Sequence, residues 1–159
     1  MTLDEITRQA IEPAYALLPA AMRSKEATLM LLAIGLQESR FLHRRQIGGP
    51  ARGFWQFERG GGVLGVLTHP ASRQAARDVC TRYDIGWDSR EVYRELVDND
   101  VLAAAFARLL LWTDPAPLPG LGDENGAWAY YLRNWRPGKP HPQTWPEMYQ
   151  QALSFVLRK

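Results

Sequence analysis

The feature that most constrains the fold is a nearly continuous apolar segment from Ala27 to Leu36, which Ser24 precedes and Glu38 follows. Ser24 is a suitable N-cap, so the segment predicts a helix that runs to about Arg40. A helix that is apolar on nearly all sides belongs in the centre of a core. The segment is also too short to span a bilayer, so we expect no stable membrane insertion.

Helical patterns also dominate the rest of the chain. Apolar residues recur at helical spacing from Leu3 to Leu18, where Pro13 should kink or split the helix. Further helices are expected at about residues 70–83, 89–96, 98–112 and 124–132. Thr144 and Glu147 form a capping-box pattern, which predicts the start of a terminal helix.

No stretch shows the period-two alternation of a half-buried strand. Residues 43–62 are rich in Gly, Pro and Arg, and they leave room for a small β-hairpin near residues 45–60. The chain has 159 residues, of which 46% are hydrophobic and 23% charged, values that suit one soluble domain. We therefore expect an all-α fold, with one domain over residues 1–159, in a monomer.

Charge and residue content argue against several classes of protein. The net charge of +2 is too small to indicate binding of nucleic acid. Cys80 is the only cysteine, so an internal disulfide is impossible. The histidines His43, His69 and His141 lack the spacing of metal ligands. Gly60–Gly62 is expected to be a flexible turn and not a phosphate-binding loop, because no strand precedes it and no Gly-Lys-Ser/Thr follows. We therefore expect neither a metal nor a cofactor.

Glu38 is the leading candidate for a catalytic group. A carboxylic acid donates a proton at neutral pH only if its pKa is raised, and burial against apolar side chains raises it. Phe41 and the aromatic stretch Gly53–Phe57 would supply such surroundings. Taken alone, a glutamate at this position also fits a surface residue that pairs with Arg40 or Arg44.

Several motifs in order resemble the lytic transglycosylases of the lysozyme superfamily. Gln37–Phe41 is similar to that family's Gln-Glu-Ser-x-Phe helix end, and Gly53 with Gln56 matches its Gly-Leu-Met-Gln turn. The similarity continues downstream in residues 98–110, 127–131 and 144–149. In order and rough spacing it covers about residues 24–155.

The sequence also departs from the family pattern. Phe54 and Trp55 replace the Leu-Met of the turn, and Leu132 follows Tyr131 where the family has an asparagine. Ala103 to Phe106 only approximates the family's Gly-x-x-Tyr. Such departures are typical of a divergent branch among bacteriophage and prophage enzymes, which includes endolysins and other bacteriolytic enzymes.

The resemblance implies a lysozyme-like fold and cleavage of the β-1,4 bond between N-acetylmuramic acid and N-acetylglucosamine in peptidoglycan glycan strands. It implies that Glu38 protonates the glycosidic oxygen and then acts as base on the muramoyl 6-hydroxyl, which closes a 1,6-anhydro ring. The substrate's acetamido group can assist, so one carboxylate can suffice. It also implies that Ser39 and Gln56 contact the glycan and that Tyr131 hydrogen-bonds near Glu38.

Two tryptophans are further candidates for the glycan site. Trp55 and Trp135 lie in polar, Gly- or Arg-rich stretches, and sugar faces pack on aromatic rings. We therefore predict that both line the groove, whereas Trp128 is assigned to the core, where most aromatic residues at helical spacing pack.

Two other functions stay open at this level. A hydrolytic lysozyme (muramidase) would need a second carboxylate to activate water. Glu58 follows the Trp-Gln-Phe turn and is the first candidate, ahead of Asp98 and Asp100. A catalytically silent glycan-binding or virion structural protein could keep the same fold.

The beginning of the chain shows no signal-peptide pattern. We therefore expect synthesis in the cytoplasm and action on the periplasmic or extracellular cell wall. A holin, a virion or a secretion system would deliver the protein there.

Overall fold

The computed structural model describes residues 1–159, and most of the chain is folded into helices. The α-helices are α1 (Leu3–Ile6), α2 (Glu12–Leu17), α3 (Lys25–Ser39), α4 (Leu64–Thr68), α5 (Arg73–Arg82), α6 (Ser89–Glu95), α7 (Asp100–Trp112), α8 (Glu124–Trp135) and α9 (Trp145–Leu157). Two π-helical turns lie at Thr7–Ile11 and Arg59–Val63, and a 3-10 turn lies at Ala20–Met22. The prediction of an all-α fold is confirmed. No helix has both the length and the apolar character that crossing a bilayer requires.

Helix α3 passes through the hydrophobic core. The Ser24 hydroxyl accepts a hydrogen bond from the Ala27 N–H at 3.0 Å, which confirms Ser24 as the N-cap. Every residue from Leu29 to Leu36 is buried. The helix packs most extensively against α9 and also contacts α7. Because its middle is enclosed, only its two ends approach the surface, and each end lies beside a cavity.

Residues 44–57 form a loop, which we call the tongue, in the region where a hairpin was considered. Its backbone makes two isolated antiparallel bridges, Arg45 to Arg52 and Arg52 to Phe57, rather than strands. Arg52 and Phe57 exchange N–H···O=C bonds of 2.9 Å in both directions. The tongue is therefore fixed by a few backbone bonds beside the end of α3.

Local predictions differ from the structure at three places. Thr144 is the N-cap residue of α9, as predicted, but its side chain makes no capping hydrogen bond, so the capping box itself is absent. The first helix is split as expected, but by a π-helical turn that ends before Pro13. Gly60–Gly62 belongs to the second π-helical turn and is not a free loop.

Candidate active site

The C-terminal end of α3 is followed by a sharp reversal of the backbone. Arg40 and Phe41 both adopt left-handed conformations, with φ of 56° and 54°. The reversal brings the Phe41 ring back onto the helix at Gly35, where an added Cβ would lie 2.2 Å from the ring. The ring also packs edge-on against Phe54 and Trp55, with centroid distances of 5.5 and 5.7 Å. Aromatic packing thus fixes the last turn of α3.

Ser39 stabilises this reversal and does not contact the groove, so its predicted role in glycan binding is wrong. Its side chain is buried at 5% exposure. The hydroxyl donates to the Gly35 carbonyl at 3.2 Å and accepts from the Phe41 N–H at 3.1 Å. Both bonds keep the hydroxyl inside the turn, where it satisfies backbone groups at the helix end.

The Glu38 carboxylate is partly buried and has one hydrogen-bond partner. The Tyr131 hydroxyl donates to Glu38 Oε1 at 2.5 Å. Burial raises the pKa of Glu38 to about 7, although the bond from Tyr131 acts in the opposite direction because it favours the charged form. Arg40 bonds to the helix backbone and Arg44 pairs with Asp100. Glu38 is therefore not a surface residue paired with a neighbouring arginine.

Tyr131 is held in position by other aromatic rings. It is 2% exposed and stacks on Trp145, with centroids 5.4 Å apart and an interplanar angle of 3°. Trp128 packs against both of these rings, with its centroid 5.4 Å from each. Burial and the nearby Glu38 raise the pKa of Tyr131 far above its ordinary value, so its hydroxyl keeps its proton and remains a donor.

A groove of about 700 Å³ opens beside Glu38, and we call it the Glu38 groove. The tongue forms one side, and the end of α8 with the following loop forms the other. Four other residues considered from the sequence line this groove: Gln56, Glu58, Tyr131 and Trp135. The structure thus brings together residues that lie up to about 100 positions apart along the chain.

Gln56 and Trp135 present different surfaces to the groove. Gln56 has a left-handed backbone, with φ of 54°, and its Nε2 donates to the Gly53 carbonyl at 2.9 Å. Its Oε1 has no protein partner and can accept a hydrogen bond from a ligand. Trp135 is half-buried, and its Nε1 donates to the Trp55 carbonyl at 2.9 Å. Its ring is therefore fixed at the groove wall.

Trp55 lies in the core, so the prediction that it lines the groove is wrong. It is 1% exposed, and its Nε1 donates to the Leu31 carbonyl in the middle of α3 at 2.8 Å. A buried indole N–H needs such a partner, and the helix backbone supplies it. Trp55 contributes to the site indirectly, because its ring packs on Phe41 and its carbonyl anchors Trp135.

The remaining groove wall is rich in basic side chains. They are His43, Arg45, Arg136, Lys139 and His141. Glu58 is the only acidic lining residue besides Glu38; it is exposed, and it makes no ion pair or side-chain hydrogen bond. Asp98 and Asp100 do not line the groove, and Asp100 pairs with Arg44 at 2.9 Å. The groove therefore favours an anionic ligand, and Glu58 is its only second carboxylate.

Gln37 connects the two sides of the site, although no role was assigned to it from the sequence. Its Nε2 donates to the His141 carbonyl at 3.0 Å, and its Oε1 accepts from the Thr144 hydroxyl at 3.0 Å. These bonds tie the end of α3 to the loop that forms the far wall. The position of Gln37 directly before Glu38 was the available signal.

No group of three or more His, Cys, Asp or Glu side chains is placed to hold a metal ion. The chain matches no protein-family model, and no curated protein or solved structure is significantly similar to it. Its function is therefore inferred from the residues and the geometry of the site.

Proposed function

We propose that the protein is a peptidoglycan lytic transglycosylase with a lysozyme-like fold, which cleaves the β-1,4 bond between N-acetylmuramic acid and N-acetylglucosamine. The observation that carries the proposal is the Glu38 carboxyl group, whose pKa is about 7 and which borders an open groove. A carboxyl group with this pKa is protonated in a large fraction of molecules at neutral pH and can deliver its proton to a leaving oxygen.

The environment of Glu38 suits both halves of this reaction. In the first half, Glu38 gives its proton to the glycosidic oxygen and becomes a carboxylate. The Tyr131 hydroxyl already donates to Oε1, so it stabilises the charge that develops there. In the second half, the carboxylate takes the proton of the muramoyl 6-hydroxyl as that oxygen attacks the anomeric carbon. The 1,6-anhydro ring closes and Glu38 regains its proton.

The walls of the groove suit a glycan strand with acidic substituents. The ring of Trp135 offers an apolar surface to a sugar face, and Gln56 Oε1 can accept from an amide or a hydroxyl. Arg45, Arg136 and Lys139 favour the carboxylates that muramic acid and its peptides carry. An enzyme of this kind acts at the cell wall, as phage endolysins and virion-associated enzymes do.

A hydrolytic muramidase is the second candidate, and the position of Glu58 favours it. Glu58 lines the same groove and makes no ion pair or side-chain hydrogen bond, so it could activate a water molecule. The two mechanisms leave different chemical ends on the product. They can therefore be distinguished without knowledge of the biological role.

The decisive experiment is mass spectrometry of the soluble fragments released from purified peptidoglycan. Anhydromuramoyl ends, which are lighter by one water, would support the transglycosylase. Reducing muramic acid ends would instead support the hydrolase, and they should then disappear in Glu58→Gln. A protein that binds the sacculus and releases no fragments would contradict both enzymatic proposals and favour a glycan-binding or virion structural protein.

A further inference from the structure

A second cavity, of about 610 Å³, lies near the N-terminal end of α3. We call it the Arg108 pocket, and its lining includes Ser24, Glu26, Arg108, Trp112, Leu118 and Tyr130. An α-helix rises about 1.5 Å per residue, so Glu26 lies about 18 Å along the α3 axis from Glu38. The pocket is therefore distinct from the Glu38 groove and shares no lining residue with it.

Arg108 is a buried cation without a counter-ion. Its side chain is on the enclosed part of α7, and the residue is only 2% exposed. Its Nε–H donates to the Met22 carbonyl at 2.7 Å, and its Nη1 is buried without any partner. No salt bridge in the protein includes Arg108. An arginine keeps its charge in proteins, and a buried charge without a partner is unfavourable.

The two carboxylates that line the pocket do not neutralise Arg108. Asp114 accepts hydrogen bonds from Arg133 Nε at 2.6 Å and from Asn134 Nδ2 at 2.9 Å. Glu26 makes no ion pair or side-chain hydrogen bond and lies in the first turn of α3, where the helix dipole favours an acidic residue. Neither carboxylate therefore forms an ion pair with Arg108.

Several of the other lining residues are apolar or aromatic. The guanidinium carbon of Arg108 lies 5.3 Å from the ring centroid of Trp112, and Trp112 is 38% exposed. Leu111 and Leu118 also line the cavity. Of the five guanidinium N–H groups, only the one on Nε is bonded to the protein. The pocket thus combines free, charged donors with an apolar surface.

We propose that the Arg108 pocket binds a small organic carboxylate. The two oxygens accept hydrogen bonds from the guanidinium of Arg108, and the apolar body packs on Trp112 and Leu118. A carboxylate carries one negative charge, whereas a phosphate carries roughly −1.5 to −2 and would be repelled more strongly by Glu26 and Asp114 in the same wall. The volume of the pocket lies within the roughly 300–1,000 Å³ that is usual for small-ligand sites.

The test uses the full chain with benzoate as the probe and neutral benzamide as its matched control. Proton–nitrogen correlation spectra would follow the Arg108 Nε–H and the Trp112 indole signals during each titration. We expect saturable shifts with benzoate and binding of benzamide that is weaker by at least about tenfold, because a charged hydrogen bond contributes about that factor. Equal binding of the two probes, or no saturable shift with benzoate, would overturn the proposal.

Three variants locate the binding within the pocket. Arg108→Met should abolish benzoate binding, and Trp112→Ala, at a partly exposed position, should weaken it several-fold without unfolding the protein. Glu26→Gln removes a negative charge that repels benzoate, so it should tighten benzoate binding. Unchanged binding in Trp112→Ala, or weaker binding in Glu26→Gln, would contradict the proposed placement. Because the readout is binding, the result does not depend on whether the Glu38 groove cleaves peptidoglycan.

The same chemical group is carried by free acids and by the C-terminus of a peptide. Two comparisons separate these sources. The first compares benzoate with acetyl-alanyl-leucine, and the second compares that peptide acid with its C-terminal amide. Tighter binding of the free peptide acid than of its amide and of benzoate would support a chain terminus as the ligand. Binding of benzoate alone would support a small free acid, and binding of neither would overturn the proposal.

Discussion

Helix α3 has a buried ionisable group near each of its ends, and the two groups differ in how they can respond to burial. Glu38 at the C-terminal end has one partner, the Tyr131 hydroxyl, and Arg108 near the N-terminal end has one, the Met22 carbonyl. Glu38 becomes neutral when it binds a proton, at a pKa of about 7. Arg108 stays charged at every pH at which the protein is folded.

The difference separates two kinds of site. A group that gains and loses a proton near neutral pH can take part in proton transfer, and the open groove beside Glu38 gives a substrate access. A group with a permanent charge cannot become neutral, so pairing with an anion is the main way to offset the cost of its burial. Burial therefore indicates chemistry at one end of α3 and ligand binding at the other.

The largest expected effect is on activity at the Glu38 end. Glu38→Gln keeps the size of the side chain but removes the proton donor, so release of fragments from peptidoglycan should fall by at least about 100-fold. Glu58→Gln is the matched control in the same groove and should retain activity in a transglycosylase. Wild-type lysis by Glu38→Gln would show that the acid is elsewhere.

The next effect is on the free energy of unfolding, and it directly distinguishes Glu38 at one end of α3 from Arg108 near the other. Between pH 4.5 and about 7 the folded protein keeps the Glu38 proton that the unfolded chain releases, so stability falls as pH rises through this window. Glu38→Gln removes this fall in stability, because glutamine does not titrate. Relative to wild type, its free energy of unfolding should therefore rise by about 3 kcal/mol across the window.

Arg108→Met provides the contrast for this measurement. Arg108 does not titrate in that range, so the difference in unfolding free energy between the variant and wild type should stay constant with pH. Urea unfolding of the three proteins at several pH values checks both expectations. A difference for Glu38→Gln that does not vary with pH would mean that Glu38 has an ordinary pKa.

A smaller effect is expected from the partner of Glu38. Tyr131→Phe removes the hydrogen bond that favours the charged carboxylate, so the pKa of Glu38 should rise further. The alkaline limb of the pH–activity profile should then move to higher pH, and activity should fall about tenfold because a charged hydrogen bond is lost. A limb that moves to lower pH would contradict the role assigned to Tyr131.

The smallest effect is expected from Gln37, which makes hydrogen bonds to the far wall of the groove and none to the Glu38 carboxyl group. Gln37→Ala removes its bonds to His141 and Thr144, and we expect activity to fall by a few-fold, chiefly through KM. The alkaline limb should stay in place because the surroundings of the carboxylate are unchanged. A shifted limb would mean that Gln37 also affects the pKa of Glu38.

The sequence carried enough information to predict the all-α class and the position of Glu38. A glutamate at the end of an apolar helix is a local signal, since the burial that raises its pKa follows from the residues before it. Tyr131 and Gln56 were assigned by the order of motifs, and the structure places both in the groove.

The directions in which the Ser39 and Trp55 side chains point could not be predicted from the sequence in the same way. Both lie beside left-handed residues, where no helical or strand period relates a side chain to a face of the fold. The position of Arg108 among alanines and leucines of α7 was visible in the sequence. Its single bond to Met22, far away in the chain, and its lack of a counter-ion required the structure.

Gly35 has a consequence for attempts to make the protein more thermostable. Glycine inside a helix is usually an attractive target, because alanine favours the helix by about 1 kcal/mol. Here the added methyl group would meet the Phe41 ring and displace the turn that presents Glu38. Because Phe41 is buried, this overpacking costs about 1–3 kcal/mol and outweighs the gain in helix propensity. Gly35→Ala should therefore lower both stability and activity, although it changes no residue that lines the groove.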